Sequence, residues 1–253
     1  MMLHAILFAC ACGWIANLCI SIHAHRALAH RAVVLHPTVS HVMRFCIWLT
    51  TGTKVRRWVA VHRKHHAHVD EEGDPHSPVL HGLARVFFGV YFYYRREAYN
   101  PETLARFGDG CPDDWLERHL YGERGWLGLL LLWSVDVLLF EGPAVGVAMA
   151  LQTLSMLLWA GTINGVGHRL GYRNFETRDA SHNIVPVAVV IGGEELHNNH
   201  HRFPRSACFA ARPWEVDVGW LVIRLLAALG LASELWLFGE RHPPGAVTWP
   251  SKS

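Results

Sequence analysis

Apolar and polar residues fall into long separate blocks along this chain. Leu3 to Ile22 is interrupted by strongly polar side chains only at His4 and Asn17, and a helix of that length can cross the hydrocarbon core of a bilayer. Two further apolar runs, Trp126 to Phe140 and Pro143 to Ile163, are separated only by Glu141 and Gly142. That pattern predicts a tight helical hairpin across a membrane. The first run of the pair is slightly short, and Asp136 lies inside it. Val42 to Ala60 is apolar too but carries Arg44, Lys54, Arg56 and Arg57, so it reads as an element lying on the membrane surface. Val218 to Phe238 is similar, interrupted by Arg224. The expected fold is an all-α membrane protein in one domain, 1–253. About three transmembrane helices (3–22, 126–140 and 143–163) are capped by a cytoplasmic helical domain built from 23–125 and 164–253.

Composition agrees with a lipid environment. Hydrophobic residues make up 51% of the 253 positions, charged residues 17%, and there are 11 Trp, a mix ill-suited to an all-round solvated surface. Charge placement gives the topology, because cytoplasmic flanks of spans collect Lys and Arg. Of the 23 basic residues, 14 lie from Arg26 to Arg124 and 9 from Arg169 to Lys252; none precedes the first span or sits in the hairpin turn. The N-terminus and the turn are therefore expected outside, and both long polar segments in the cytoplasm, as in a bacterial inner-membrane protein. A signal peptide is rejected, since Met1 to His4 offers no basic leader and no convincing cleavage site follows. The six Cys (Cys10, Cys12, Cys19, Cys46, Cys111, Cys208) have no paired metal-ligand spacing and read as small buried apolar residues. A net charge of +2 gives no reason to expect a nucleic-acid partner.

The chain carries 19 His, and their grouping matters more than their number. His25 and His30 follow the first span; His62, His65 and His66 form a second cluster; His197, His200 and His201 form a third with the same spacing. On a helix, positions i, i+3 and i+4 share a face, so each triplet can aim three imidazoles at one point. His25 and His30 are i and i+5, about 140° apart on an α-helix, and should diverge unless the cluster lies between them or serves two metals. A ligand set of imidazoles suits iron, zinc or copper, and lacks the thiolates of structural zinc sites and the oxygens that magnesium and calcium require. Glu194 and Glu195 precede the third cluster, but no second carboxylate-His pair appears, so the soluble carboxylate-bridged helical-bundle architecture is not expected. His4, His23, His36, His41, His68, His81, His119, His182 and His242 read as ordinary interfacial or hydrogen-bonded histidines.

These boxes resemble those of the membrane fatty acyl desaturases, in particular the bacterial branch related to stearoyl desaturases. The resemblance runs from His25 to about Ala232, through His25-Arg-Ala-Leu-Ala-His30, Val61-His-Arg-Lys-His-His66, Asp74-Pro-His76, Asn164-Gly-Val-Gly-His168, Gly171-Tyr-Arg-Asn-Phe175 and Gly193-Glu-Glu-Leu-His-Asn-Asn-His-His201. It implies a di-iron centre, with dioxygen as co-substrate. The implied ligands are His25, His30, His62, His65, His66, His168, His197, His200 and His201, with Asn164 joining through a water. Asp74, His76, Glu195 and Asn198 look like residues that orient the ligand imidazoles. Trp159, Gly161 and Thr162 are candidates to line an acyl tunnel, although Gly161, Gly165 and Gly167 could equally serve close helix approach. Two departures stand out. Relatives with four spans place a hairpin before the first box, and the Arg-Asp pair of eukaryotic acyl-CoA desaturases is Ala60-Val61 here. The carrier is thus open among coenzyme A, phospholipid and acyl carrier protein.

The chemistry that the resemblance implies is desaturation of a fatty acyl chain, of delta-9 type, giving a cis double bond. Removing hydrogen from an unactivated methylene pair is beyond side-chain acids and bases, so a metal must supply the oxidant. No nucleotide-binding glycine pattern or Cys cluster is present, and His242-Pro-Pro-Gly245 matches a haem motif only loosely. Electrons are therefore expected from a separate ferredoxin, rubredoxin or cytochrome. The alternatives are a membrane di-iron hydroxylase of lipid or alkane, and a metal transporter or sensor, which should carry polar ligands within its spans.

Overall fold

The computed structural model describes residues 1–242; Pro243 to Gly245 of the haem-like run lie outside the described residues. The chain is mostly helical. The first apolar block forms α1 (Met2–Cys19), which passes without a break into a π-helix (Ile20–Ala29). Then come α2 (Pro37–Thr51), α3 (Val55–His68), the single turn α4 (Pro78–His81), α5 (Leu83–Ala98) and α6 (Pro101–Phe107). The hairpin is α7 (Gly125–Leu139) and α8 (Pro143–Gly165), followed by the short α9 (His197–Arg202) and by α10 (Val218–Ala228). Starts and stops follow local chemistry. The His36 side chain accepts from Thr38 N–H ahead of Pro37, and Gly52 in a left-handed conformation ends α2.

Two helical stretches among the described residues are long and apolar enough to cross a membrane, Met2–Ala29 and Pro143–His168. α7 has 15 residues, about 22 Å of rise against a core of about 30 Å. α1 packs along α8 through small side chains: Ala5, Ala9 and Ala16 on α1 and Ala144 and Ala148 on α8 are buried, allowing the backbones close together. Asp136 of α7 is buried, and its Oδ1 accepts a hydrogen bond from Gln152 Nε2 of α8 at 3.1 Å, which gives one oxygen of this carboxyl a polar partner inside an apolar run.

α2 lies against α7 and α1. Its Arg44 is buried and paired with Asp114, with Glu117 alongside. The charge that argued against a span is thus neutralised by protein.

The described residues form three two-stranded pairs, of which the first ties the late chain to the early. β1 (Val34–Leu35) pairs antiparallel with β4 (Ala232–Ser233), β2 (Val187–Ala188) pairs parallel with β3 (Val216–Asp217), and β5 (Leu235–Leu237) pairs with β6 (Glu240–His242). A fully buried Arg26 completes the attachment. Its guanidinium donates to both Asp217 oxygens at 3.0 Å and to Gly192 O at 3.2 Å, and lies 3.9 Å over the Phe209 ring. The main apolar core, including Ile22, Ile47, Phe209 and Ile223, lies beside the segment that carries the first two candidate ligands.

Candidate metal centre

Four elements bring histidines together: the π-helix with its cap (His25, His30), α3 (His62, His65, His66), the turn after α8 (His168), and α9 (His197, His200, His201). The imidazoles form two groups whose inward nitrogens all lie within 4.8 Å of one another. The first group is His25, His30, His62, His66 and His200; the second is His65, His168, His197 and His201. A smaller set, His65 with Asp74 and His76, adjoins the second.

The grouping corrects two expectations. His25 and His30 do not diverge. The backbone between them is π-helical, with His30 N–H bonded to His25 O at 3.0 Å, an i to i+5 link, and the two rings stand 4.8 Å apart. The wider turn brings i+5 back over i, and such insertions recur at functional sites. Nor does either triplet converge on one point. On α3, His62 and His66 join the first group and His65 the second; on α9, His197 and His201 join the second group and His200 the first. Residues i and i+4 lean to one side of the helix face and i+3 to the other, enough to feed two adjacent sites.

Within the groups the Nε2 atoms crowd together. His30 lies 2.8 Å from His62, His25 lies 3.1 Å from His200, and His200 lies 2.9 Å from His66. His197 is 3.0 Å from His168 and 3.1 Å from His201. Two nitrogens bound at right angles to an ion at about 2.1 Å stand about 3.0 Å apart, so the spacing fits a metal. Outer nitrogens supply the tautomers. His25 Nδ1 faces Glu194 at 2.7 Å, His65 Nδ1 faces Asp74 at 3.0 Å, His168 Nδ1 faces Asp70 at 3.0 Å, and His201 Nδ1 faces Asp179 at 3.2 Å. Each carboxylate accepts the Nδ1–H and leaves Nε2 as a bare lone pair pointing inward. His197 can donate to only one of the two bare nitrogens beside it, and His65 Nε2 is buried with no partner at all. Hydrogen bonds among the rings cannot satisfy this set, whereas a cation can.

Electrostatics point the same way. Burial, reinforced by neighbouring imidazoles, holds His30, His62, His66, His197, His200 and His201 well below the ordinary imidazole range, so the rings are neutral and able to ligate at pH 7. Burial alone would raise Asp70. The hydrogen bond and charge of His168, together with Ser77 Oγ–H and Ala180 N–H, outweigh it and hold Asp70 at about 2.

Of the residues expected to orient imidazoles, Asp74 does so directly, and His76 stacks on His65 with ring centres 4.7 Å apart. Glu195 and Asn198 have other work. Glu195 accepts the N–H groups of Val190, Ile191 and Gly193. Asn198 accepts from Asn174 N–H and Phe175 N–H and donates to Phe175 O. The carboxylates missed by sequence reasoning are Glu194, Asp70 and Asp179. Glu194 was one residue from the choice made; Asp179 had no local signal, its partner His201 lying 22 residues away.

Asn164 sits in the last turn of α8, four residues before His168. Trp159, Gly161 and Thr162 lie on the same helix. A Cβ on Gly161 would collide with the Phe87 carbonyl of α5, so this position serves close helix approach, and Thr162 Oγ donates to Leu158 O at 2.8 Å. At Gly167 a Cβ would stand 3.1 Å from the His197 ring, so this position leaves room for an imidazole. None of the eight histidines read as ordinary between His4 and His182 enters either group.

A bundle that gathers nine imidazoles beside two long apolar helices has the donor set of a metal-binding protein with segments long enough to cross a membrane. A family model described as fatty acid desaturase matches residues 2–219. Among similar proteins, the delta-9 acyl-lipid desaturase 2 of Arabidopsis thaliana is 31% identical over 230 residues, covering 87% of this chain and 71% of the relative. The sn-1 stearoyl-lipid 9-desaturase of Anabaena variabilis is 31% identical over 238 residues, covering 90% and 83%. The acyl-CoA C20 delta5-desaturase of Anemone leveillei is 32% identical over 222 residues, covering 86% and 69%. The chain belongs to the fatty acid desaturase family: it is an enzyme, a fatty acyl desaturase and an oxidoreductase of lipid metabolism.

Proposed function

We propose that this enzyme is an oxygen-dependent, di-iron desaturase that introduces a cis double bond of delta-9 type into an acyl chain carried on a membrane lipid. The observation that carries the reading is the pair of adjoining imidazole groups, of five and four histidines. His25, His30, His62, His66 and His200 would hold one iron and His65, His168, His197 and His201 the other, with Asn164 completing the second through a water. When bound, the irons supply the oxidising chemistry with dioxygen that an unactivated methylene pair demands. The protein's own contribution is to fix the ring tautomers through Glu194, Asp74, Asp70 and Asp179, and to wall the site with Trp58, which stacks on His62 at 4.9 Å, and Phe209, 4.8 Å from His200.

The lipid carrier is favoured by relatives named as acyl-lipid desaturases and by Ala60 and Val61, an apolar buried pair where an acyl-CoA enzyme carries an Arg-Asp pair. The whole chain acts as one domain, with α1, α7 and α8 spanning a bacterial inner membrane and the metal centre on the cytoplasmic side. Electrons come from a separate ferredoxin-, rubredoxin- or cytochrome-type donor.

The test is expression in a host that makes no unsaturated fatty acids, with lipids profiled after separation by headgroup, beside His65→Ala. A new monounsaturated lipid is expected from the parent chain and none from the variant, with iron found in purified parent protein. Unchanged lipids for both, or a hydroxylated product with no double bond, overturn the reading.

A further inference from the structure

Residues 184–191 read Ile-Val-Pro-Val-Ala-Val-Val-Ile, eight positions without a polar side chain. They are not helical, and four of them are open on the protein's surface: Val185 at 43%, Val187 at 52%, Val189 at 38% and Val190 at 44% exposure. A contiguous apolar surface of this kind marks a contact with another apolar phase. Irregular backbone meets hydrocarbon only if its N–H and C=O groups are satisfied by protein.

Here they are. Trp14 Nε1 donates to Val189 O at 2.7 Å, Asn17 Nδ2 to Val190 O at 3.4 Å, and Ser21 Oγ to Gly192 O at 2.9 Å. The Glu195 carboxylate accepts the N–H groups of Val190 at 2.8 Å and Ile191 at 2.9 Å. Val216 N–H reaches Pro186 O at 2.9 Å, beside the ladder that pairs Val187 with Val216. These backbone groups are thus turned onto α1, β3 and Glu195 while the four valines are exposed.

The three rungs on α1 fix depth. From Trp14 to Ser21 a helix rises about 10 Å, and from Val189 to Gly192 an extended chain covers about the same distance. The segment therefore runs alongside α1, and Val189 lies about 10 Å further into the apolar run than Gly192. Trp14 is itself exposed near the middle of that run. The surface continues through β3 into α10, where Leu221, Leu225 and Leu229, spaced by four, are exposed at 47%, 60% and 64%.

We propose that residues 185–190 dip into the cytoplasmic leaflet, with their valines against lipid acyl chains and their backbone capped by α1. The proposal rests on α1 being a span. Its consequence is that lipid borders the candidate metal centre, because the same segment runs four residues on to Glu194, whose carboxylate faces His25.

The experiment uses the full chain in phosphatidylcholine liposomes, with p-benzoylphenylalanine placed singly at 187, at 189 and, as a control, at Glu176, whose side chain is 99% exposed. After irradiation, mass spectrometry should find phospholipid adducts at 187 and 189, several-fold above the control. Adducts no more abundant than at 176, or cross-links from 187 and 189 to a second protein chain instead of lipid, overturn the proposal. A second measurement needs no substitution: a water-soluble carbene reagent should modify Trp115 and spare Val187 and Val189 in liposomes. Modification of those valines as strong as at Trp115 also overturns it. Neither readout depends on which metal is bound or on the product, so this idea and the proposed activity fail separately.

Discussion

The two halves of the candidate metal centre are built from the same parts in different proportions. The first has five imidazoles and one carboxylate brace, Glu194 on His25; the second has four imidazoles and three braces, Asp74, Asp70 and Asp179. α3 and α9 contribute to both in mirrored fashion, each giving its i and i+4 histidines to one half and its i+3 to the other. The difference teaches that the halves reach order by separate routes. The first relies on number of ligands and on aromatic walls, Trp58 and Phe209; the second relies on rings whose rotation and tautomer are locked from behind.

The largest effect expected from this contrast follows removal of a ligand from the half that has none to spare. His168→Ala leaves three imidazoles in the second half, and it should lose one metal per chain and at least about a hundred-fold in desaturation rate, at or beyond the upper end of what loss of an outer partner costs. His66→Ala leaves four in the first half and should retain more metal than His168→Ala. Elemental analysis beside product formation checks both; equal metal loss in the two variants would break the asymmetry.

Much of this was legible before any coordinates. The long apolar helices could be read because a bilayer imposes a length that few other settings require, and the gathering of histidines could be read because imidazoles recurred at helical spacing. The π-helix could not, since a 3.6-residue period was assumed through His25 and His30 and the inserted residue leaves no mark in composition. The division of each triplet between two sites was hidden for a related reason: i+3 and i+4 count as neighbours on a helical wheel, yet they differ by about 100° in direction. The partners of Arg44 were hidden because Asp114 and Glu117 lie some seventy residues on and only the fold brings them beside it. Glu195 and Glu194 are adjacent acids, and only backbone geometry decides which faces an imidazole.

A smaller effect tests the braces themselves. Glu194→Gln removes the one carboxylate of the first half, whereas Asp70→Asn leaves two in the second. Loss of an outer partner costs about 10-fold to 100-fold in metal affinity. Because the first half relies on ring count, Glu194→Gln should fall toward the lower end of that range and Asp70→Asn toward the upper, as measured by competition with a chelator. The reverse order would mean that a single brace, and not ring count, governs metal retention in the first half.

The smallest expected effect concerns His76, stacked behind His65 with its Nε2 buried and unpartnered. Burial, with the nearby His65, pushes its pKa down from the ordinary 6.5 to about 3. Between those values the unfolded chain binds a proton that the folded chain does not, so stability rises with pH there and is lost as pH falls from 6.5 toward 3. The slope for one such group is about 1.4 kcal/mol per pH unit. His76→Phe keeps the ring and the stack but removes that proton site. In metal-free protein, denaturant unfolding at pH 7.5 should therefore differ little between parent and variant. At pH 5.5 the parent should have lost about 1.4 kcal/mol more than the variant. Identical pH dependence would mean that His76 is protonated in the folded protein, with Asp74 or Asp70 as its counter-charge. The second half would then owe part of its order to an ion pair, and not to locked neutral rings alone.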